Sequence, residues 1–139
     1  MRRLAITTGD PAGIGPEIAQ KALQYFQMKD NIAVVVYGKF TSFNDGNQIV
    51  KIEDIRQANS PAVIYWIEID DDNIEVGKPS VLSGKIALEI LTRCSNDLNS
   101  KELDAVATCP VSKEAIRSTQ PEFIGHTEFL QNNLTLKML

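Results

Sequence analysis

Short apolar runs of strand length recur along this chain, separated by amphipathic stretches of helix length. Residues 3 to 7, Ile32-Ala33-Val34-Val35-Val36-Tyr37, Ala62-Val63-Ile64-Tyr65-Trp66-Ile67 and Leu103-Asp104-Ala105-Val106-Ala107-Thr108 read as strands, with Ile49-Val50-Lys51-Ile52 as a shorter one. An unbroken apolar run, as in 32 to 37, is what a strand covered on both faces requires. Between the strands, residues 16 to about 28 and 83 to 98 carry helical periodicity, the second with Ile86, Ile90, Leu91 and Cys94 on one face. Phe40 to Phe43 and Glu53 to Ala58 read as short helices, and a last helix starts near Glu128. This alternation predicts a layered α/β fold with a mostly parallel sheet.

In such folds ligands gather beyond the carboxyl ends of the strands. The first loop there is Thr7-Thr8-Gly9-Asp10-Pro11-Ala12-Gly13-Ile14-Gly15-Pro16-Glu17. Pro16 suits the first turn of a helix, Glu17 suits its dipole, and the glycines permit a tight turn that exposes backbone N–H groups. The spacing is neither a dinucleotide fingerprint nor a Walker A loop. Asp10 would repel a phosphate but accept from a hydroxyl or an amine, and with Gly13 it is a candidate pocket residue. The second loop is Thr108-Cys109-Pro110-Val111-Ser112-Lys113, where Ser112 is a helix cap and Lys113 a candidate to neutralise a phosphate or carboxylate. The third string, Gly125-His126-Thr127-Glu128, holds the single histidine of the chain. Its polar setting predicts an accessible ring, with Thr127 as the helix cap, and imidazole serves there as donor or acceptor near neutral pH.

Composition narrows the partners. The net charge of −4 argues against nucleic acid and anionic membranes. No apolar run approaches the roughly 18 residues of a membrane span, and Leu4-Ala5-Ile6 is too short for a signal-peptide core, so the expected location is the cytoplasm. Cys94 and Cys109 lie far apart and read as free thiols, with Cys109 better suited to packing than to catalysis. One histidine cannot build a multi-histidine zinc site, and Asp70-Asp71-Asp72 lacks calcium-loop spacing and reads as a solvated acidic loop.

Taken together, residues 7 to 17, Asp104 to Ile116 and Gly125-His126-Thr127-Glu128-Phe129-Leu130 resemble the 4-hydroxythreonine-4-phosphate dehydrogenase (PdxA) family, with support from Gly77-Lys78-Pro79-Ser80 and Ser83-Gly84. The resemblance implies a homodimer with an isocitrate/isopropylmalate dehydrogenase-like fold, NAD or NADP as cofactor and a divalent metal. It implies oxidation of 4-phosphooxy-L-threonine, with loss of CO2, to 3-amino-2-oxopropyl phosphate in pyridoxal phosphate synthesis. His126 and Thr127 fall on the family's substrate-contacting pair. Family members are much longer. Their metal-binding histidines, and most of their cofactor loops, lie beyond the stretch this sequence matches. The expectation is therefore a portion of the enzyme, with 1–120 in an N-terminal α/β domain and 121–139 beginning a truncated second one. Phe129, Leu130, Leu134, Leu136, Met138 and Leu139 would then leave apolar surface that favours association. Alternatives are a related 4-phosphothreonate or 4-phosphoerythronate dehydrogenase, a non-catalytic binding module, or a fragment that docks a partner. Cys109 stands where the family string has glycine, and a left-handed backbone there would strain it by about 1 kcal/mol or more.

Overall fold

Val34 and Val36 pack to one side of their strand, and Ala33, Val35 and Tyr37 to the other; all five are completely buried. That two-sided burial explains the unbroken apolar run and fixes this strand inside a sheet. The computed structural model describes residues 1–25, 31–39 and 49–134. Five strands, β1 (Arg2–Thr7), β2 (Ile32–Gly38), β3 (Ile49–Lys51), β4 (Ile64–Glu68) and β5 (Ala105–Thr108), form one sheet in the order β3-β4-β2-β1-β5. Every pairing is parallel, with Leu4 opposite Val34 and Ala105, and Thr7 opposite Tyr37 and Thr108. The layered parallel α/β expectation is met.

Helix α1 (Gly15–Tyr25) covers one face, where Leu23 meets Val34, Val36 and Ile64. Helix α2 (Val81–Asn99) covers the other, where Ile86, Ile90, Cys94 and Leu98 meet Ala5, Val35, Tyr37 and Ile67. Each large aliphatic side chain so buried contributes about 1.5–3 kcal/mol. The hydroxyl of Tyr37 donates to Asp97 Oδ2 at 2.6 Å, which gives this buried phenol a partner on α2. Burial pushes the Asp97 carboxyl up, and pushes the Cys94 thiol up to about 12, so Cys94 packs as a neutral side chain. Both cysteines are free, as expected.

The expected α2 start at Ser83 moves two residues earlier. Ser80 is the cap: its Oγ accepts from Ser83 N at 3.1 Å, while Ser83 Oγ accepts from Ser80 N at 2.8 Å. A reciprocal capping box extends the helix beyond its apolar periodicity. The short helix expected over Glu53–Ala58 is a single 3-10 turn, Ile55–Gln57, capped by Asp54. Helices α3 (Lys113–Arg117) and α4 (His126–Asn133) complete the chain as described, and α4 begins two residues before its expected start. Phe123 and Phe129 join Ala87, Leu91 and Ile116 in a second cluster on the outer side of α2. The expected end of the first helix near Met28, the helix at Phe40 to Phe43, and Leu136, Met138 and Leu139 fall outside the described residues. No described helix is long and apolar enough to cross a membrane.

Candidate functional site

The chain runs from β1 to β2 in one direction across the sheet, and α2 carries it back past both to β5 on the far side of β1. The crevice between β1 and β5 is thus a topological switch point, where an open parallel sheet offers a site at the carboxyl ends. The first two predicted loops leave from those ends and are joined there. Cys109 N donates to Thr7 O at 2.9 Å, and Asp10 N donates to Pro110 O at 3.2 Å.

Two glycines make this junction possible. Gly9 has φ +74°, and a Cβ placed on it would lie 2.1 Å from the Pro110 carbonyl oxygen. A Cβ on Gly15 would lie 1.9 Å from the Thr8 carbonyl oxygen. Gly13 is different: its backbone is not left-handed, and a Cβ would meet only Asp10, at 3.5 Å. Asp10 is buried with 3% of its surface exposed. Its Oδ1 accepts from Ala12 N at 2.7 Å, its carbonyl accepts from Gly13 N at 3.0 Å, and its Oδ2 has no partner. The carboxylate therefore staples the loop that carries it. The turn at Gly77 also reaches this loop, donating from its N–H to Ala12 O at 2.7 Å. Cys109 lacks the left-handed backbone that would strain it; among the described non-glycine residues only Ala62 and Lys101 have positive φ. Burial pushes its thiol up, in keeping with packing.

Ser112 caps α3 as expected, its Oγ accepting from Ala115 N at 3.2 Å, which sets Lys113 at the first helical position. Lys113 is exposed and makes no ion pair or hydrogen bond among the described residues. The third string arrives beside it. A Cβ built on Gly125 would lie 3.7 Å from Lys113 Cε and 3.9 Å from Lys113 Nζ. The expected cap at Thr127 is corrected: Gly125 occupies the cap position of α4 in extended backbone, no side chain caps the helix, and Thr127 lies exposed in its first turn. The accessible ring is corrected as well. His126 is half-buried, its Nε2 is shielded from solvent, and that nitrogen has no partner. The ring lies within electrostatic reach of the Cys109 backbone in the second loop and of Lys113. All three strings thus converge, while Thr127 and Gly13 stand on the exposed rim.

Burial lowers the His126 pKa below its ordinary 6.5, Lys113 lowers it further, and the nearby Cys109 backbone opposes both. Because the folded value lies below the unfolded one, its linkage to stability is intact above pH 6.5 and is lost as pH falls from there through the folded value. An NMR titration of this sole histidine is expected to give a midpoint below 6.5, with the unfolding midpoint falling over the same window. A midpoint at or above 6.5 would contradict the burial described.

Sequence reasoning missed other parts of the site. The Thr7 and Thr8 hydroxyls are buried and unpartnered under the first loop. Gly84 lets α2 and α3 touch, since a Cβ there would lie 2.1 Å from the Ala115 carbonyl oxygen. A glycine inside a periodic helix was the available signal for that contact. The solvated acidic loop is corrected in part: Asp72 is exposed, but Asp70 and Asp71 are half-buried, Asp70 Oδ1 is shielded and unpartnered, and Asp71 Oδ1 accepts from the Asn73 N–H at 2.8 Å. Among the described residues no three His, Cys, Asp or Glu side chains are grouped to hold a metal.

Residues 25–139 match the family model described as pyridoxal phosphate biosynthetic protein PdxA. The chain belongs to the PdxA family. A PdxA relative from Sulfurihydrogenibium sp., named 4-hydroxythreonine-4-phosphate dehydrogenase, is 35% identical over 136 residues, covering 94% of this chain and 42% of its own length. A Clostridium botulinum protein provisionally named D-threonate 4-phosphate dehydrogenase is 31% identical over 138 residues, covering 91% of this chain and 41% of its own. The crystal structure of a 4-hydroxythreonine-4-phosphate dehydrogenase from Burkholderia phymatum superposes with a TM-score of 0.78 at 26% identity, over 96% of this chain and 43% of that one. The chain spans about two fifths of the length of the PdxA relatives it matches.

Proposed function

We propose that this chain supplies the substrate-recognising part of an NAD-dependent dehydrogenase of pyridoxal phosphate synthesis. The reaction is oxidation of 4-phosphooxy-L-threonine, with decarboxylation, to 3-amino-2-oxopropyl phosphate. The observation that carries the reading is the convergence of the three PdxA-like strings near the β1/β5 switch point, with Gly9 against Pro110, Gly15 against Cys109 and Gly125 beside Lys113. His126 and Thr127 contact the substrate. Lys113 lines the pocket, Gly13 lies at its edge, and Asp10 holds the first loop. NAD or NADP, when bound, would supply the hydride acceptor. A divalent metal would supply Lewis-acid polarisation of the alcohol; the described residues provide no ligand set to hold it. The enzyme works as a cytoplasmic homodimer, with residues 1–120 in the first domain and 121–139 leading into the second.

A second reading is oxidation of 4-phospho-D-threonate, favoured by the 31% identity to the Clostridium botulinum relative. Calorimetry on the purified chain separates the two. The first reading expects tighter binding of 4-phosphooxy-L-threonine than of 4-phospho-D-threonate, and the second expects the reverse order. Binding of neither compound would overturn both.

A further inference from the structure

The two faces of the sheet are covered unequally at β1 and β5. On the α2 side, Val106 packs against the core. On the α1 side, Ala105 and Ala107 are exposed, and Leu4 and Ile6, which lie opposite them in register, are only half-buried. These four side chains share one face and form an apolar strip. Helix α1 stands to one side of it, since Leu23 meets Val34, Val36 and Ile64 on β2 and β4. Buried Gly15, Ala19 and Leu23 mark the underside of α1. Pro16 and Gln20, on one flank, share a cleft with Lys39, just past β2. The opposite flank, which carries the exposed Ile14 and Ile18, therefore faces β1 and β5. The result is an apolar corner, floored by the sheet and walled by α1.

The corner ends in a bare strand edge, because β5 is the last strand of the sheet. Asp104 N donates to Arg3 O at 3.0 Å, so the alternation of the strand turns the N–H and C=O groups of Ala105 and Ala107 away from β1. The opposite edge strand, β3, is three residues long and ends in the charged Lys51, whereas β5 carries neither charge nor proline to deter pairing. We propose that this edge and corner dock a strand and an amphipathic helix from the polypeptide that corresponds to the rest of the PdxA relatives. The inference is independent of the substrate proposed above. More than half of the Burkholderia phymatum chain lies outside its superposition on this one. The corner spans two strand spacings, about 10 Å, which is the width of one helix. A second copy paired through β5 would set its own α1 two strands further off and leave the corner open.

The test co-expresses the full chain with the part of the Sulfurihydrogenibium relative that lies outside the 136-residue match. Analytical ultracentrifugation is expected to show a one-to-one complex, and hydrogen exchange at the Ala105 and Ala107 amides should slow by about tenfold or more within it. Ile18→Lys places a charge in the corner, and Ala107→Pro removes an outward N–H while leaving the β1 pairing intact. Each is expected to weaken the complex by about tenfold or more. Both positions are exposed, and thermal unfolding checks that each variant is folded. Absence of a complex, or unchanged affinity in both folded variants, overturns the proposal and leaves the proposed function standing. Self-association of the chain alone that protects the Ala105 and Ala107 amides also overturns it, by assigning the edge to a second copy.

Discussion

Gly9→Ala is expected to destabilise the fold by about 3 kcal/mol or more. Two costs combine. The backbone at Gly9 is left-handed, at φ +74°, where an L side chain is disfavoured by about 1 kcal/mol. The added Cβ would also stand 2.1 Å from Pro110 O and 2.9 Å from Cys109 O, backbone atoms just beyond β5 that are held by the Cys109 N to Thr7 O and Asp10 N to Pro110 O hydrogen bonds. Relief requires the first and second loops to part, which breaks the Asp10 N to Pro110 O hydrogen bond. Affinity for ligand should fall with stability, because the two loops that part are the ones that meet at the β1/β5 crevice. Gly13→Ala is the matched control: its Cβ meets Asp10 O at an ordinary 3.5 Å, and a change within about 0.5 kcal/mol is expected. Urea unfolding of both variants reads the difference, and equal effects would refute the close approach at Gly9.

Ile90→Ala is expected to cost about 2–5 kcal/mol, enough to lower the thermal midpoint by about 10 °C. Ile90 is completely buried between α2 and the sheet. Its Cδ1 lies 2.9 Å from where a Gly38 Cβ would sit, so the side chain fills space that only a glycine at the end of β2 leaves open. Truncation leaves a cavity against Tyr37 and Ala5, in a parallel sheet whose central strand cannot move without breaking pairings on both edges. Glu89→Ala, on the exposed side of the same helix, is expected to stay within about 0.5 kcal/mol. Scanning calorimetry of the two variants makes the comparison.

The strands were legible because burial on both faces writes itself as continuous apolar sequence, as at Val34, Val35 and Val36. Helix α2 was legible from its apolar face, and Ser112 from its place before Lys113, since both signals are local. The capping signals were harder to place. Ser80 lies outside the periodicity that marked α2, and Gly125 takes the cap position that a hydroxyl-bearing Thr127 suggested. The function of the glycines was not legible at all. Gly9 and Gly13 look alike in sequence, and what separates them is the left-handed backbone of Gly9 and the approach of Pro110, about a hundred residues away. The family resemblance grouped the three strings. What brings them together physically is the β1–β5 pairing, a strand order that no local pattern encodes.

The most direct test of the three-loop site uses the single histidine as its reporter. NMR spectra of the chain are recorded through a titration with 4-phosphooxy-L-threonine. The imidazole signals of His126 should move in step with the amides of Asp10, Cys109 and Lys113, along one binding curve. A ligand that binds while the imidazole stays still, or that moves amides remote from the β1/β5 crevice, would contradict the site described here.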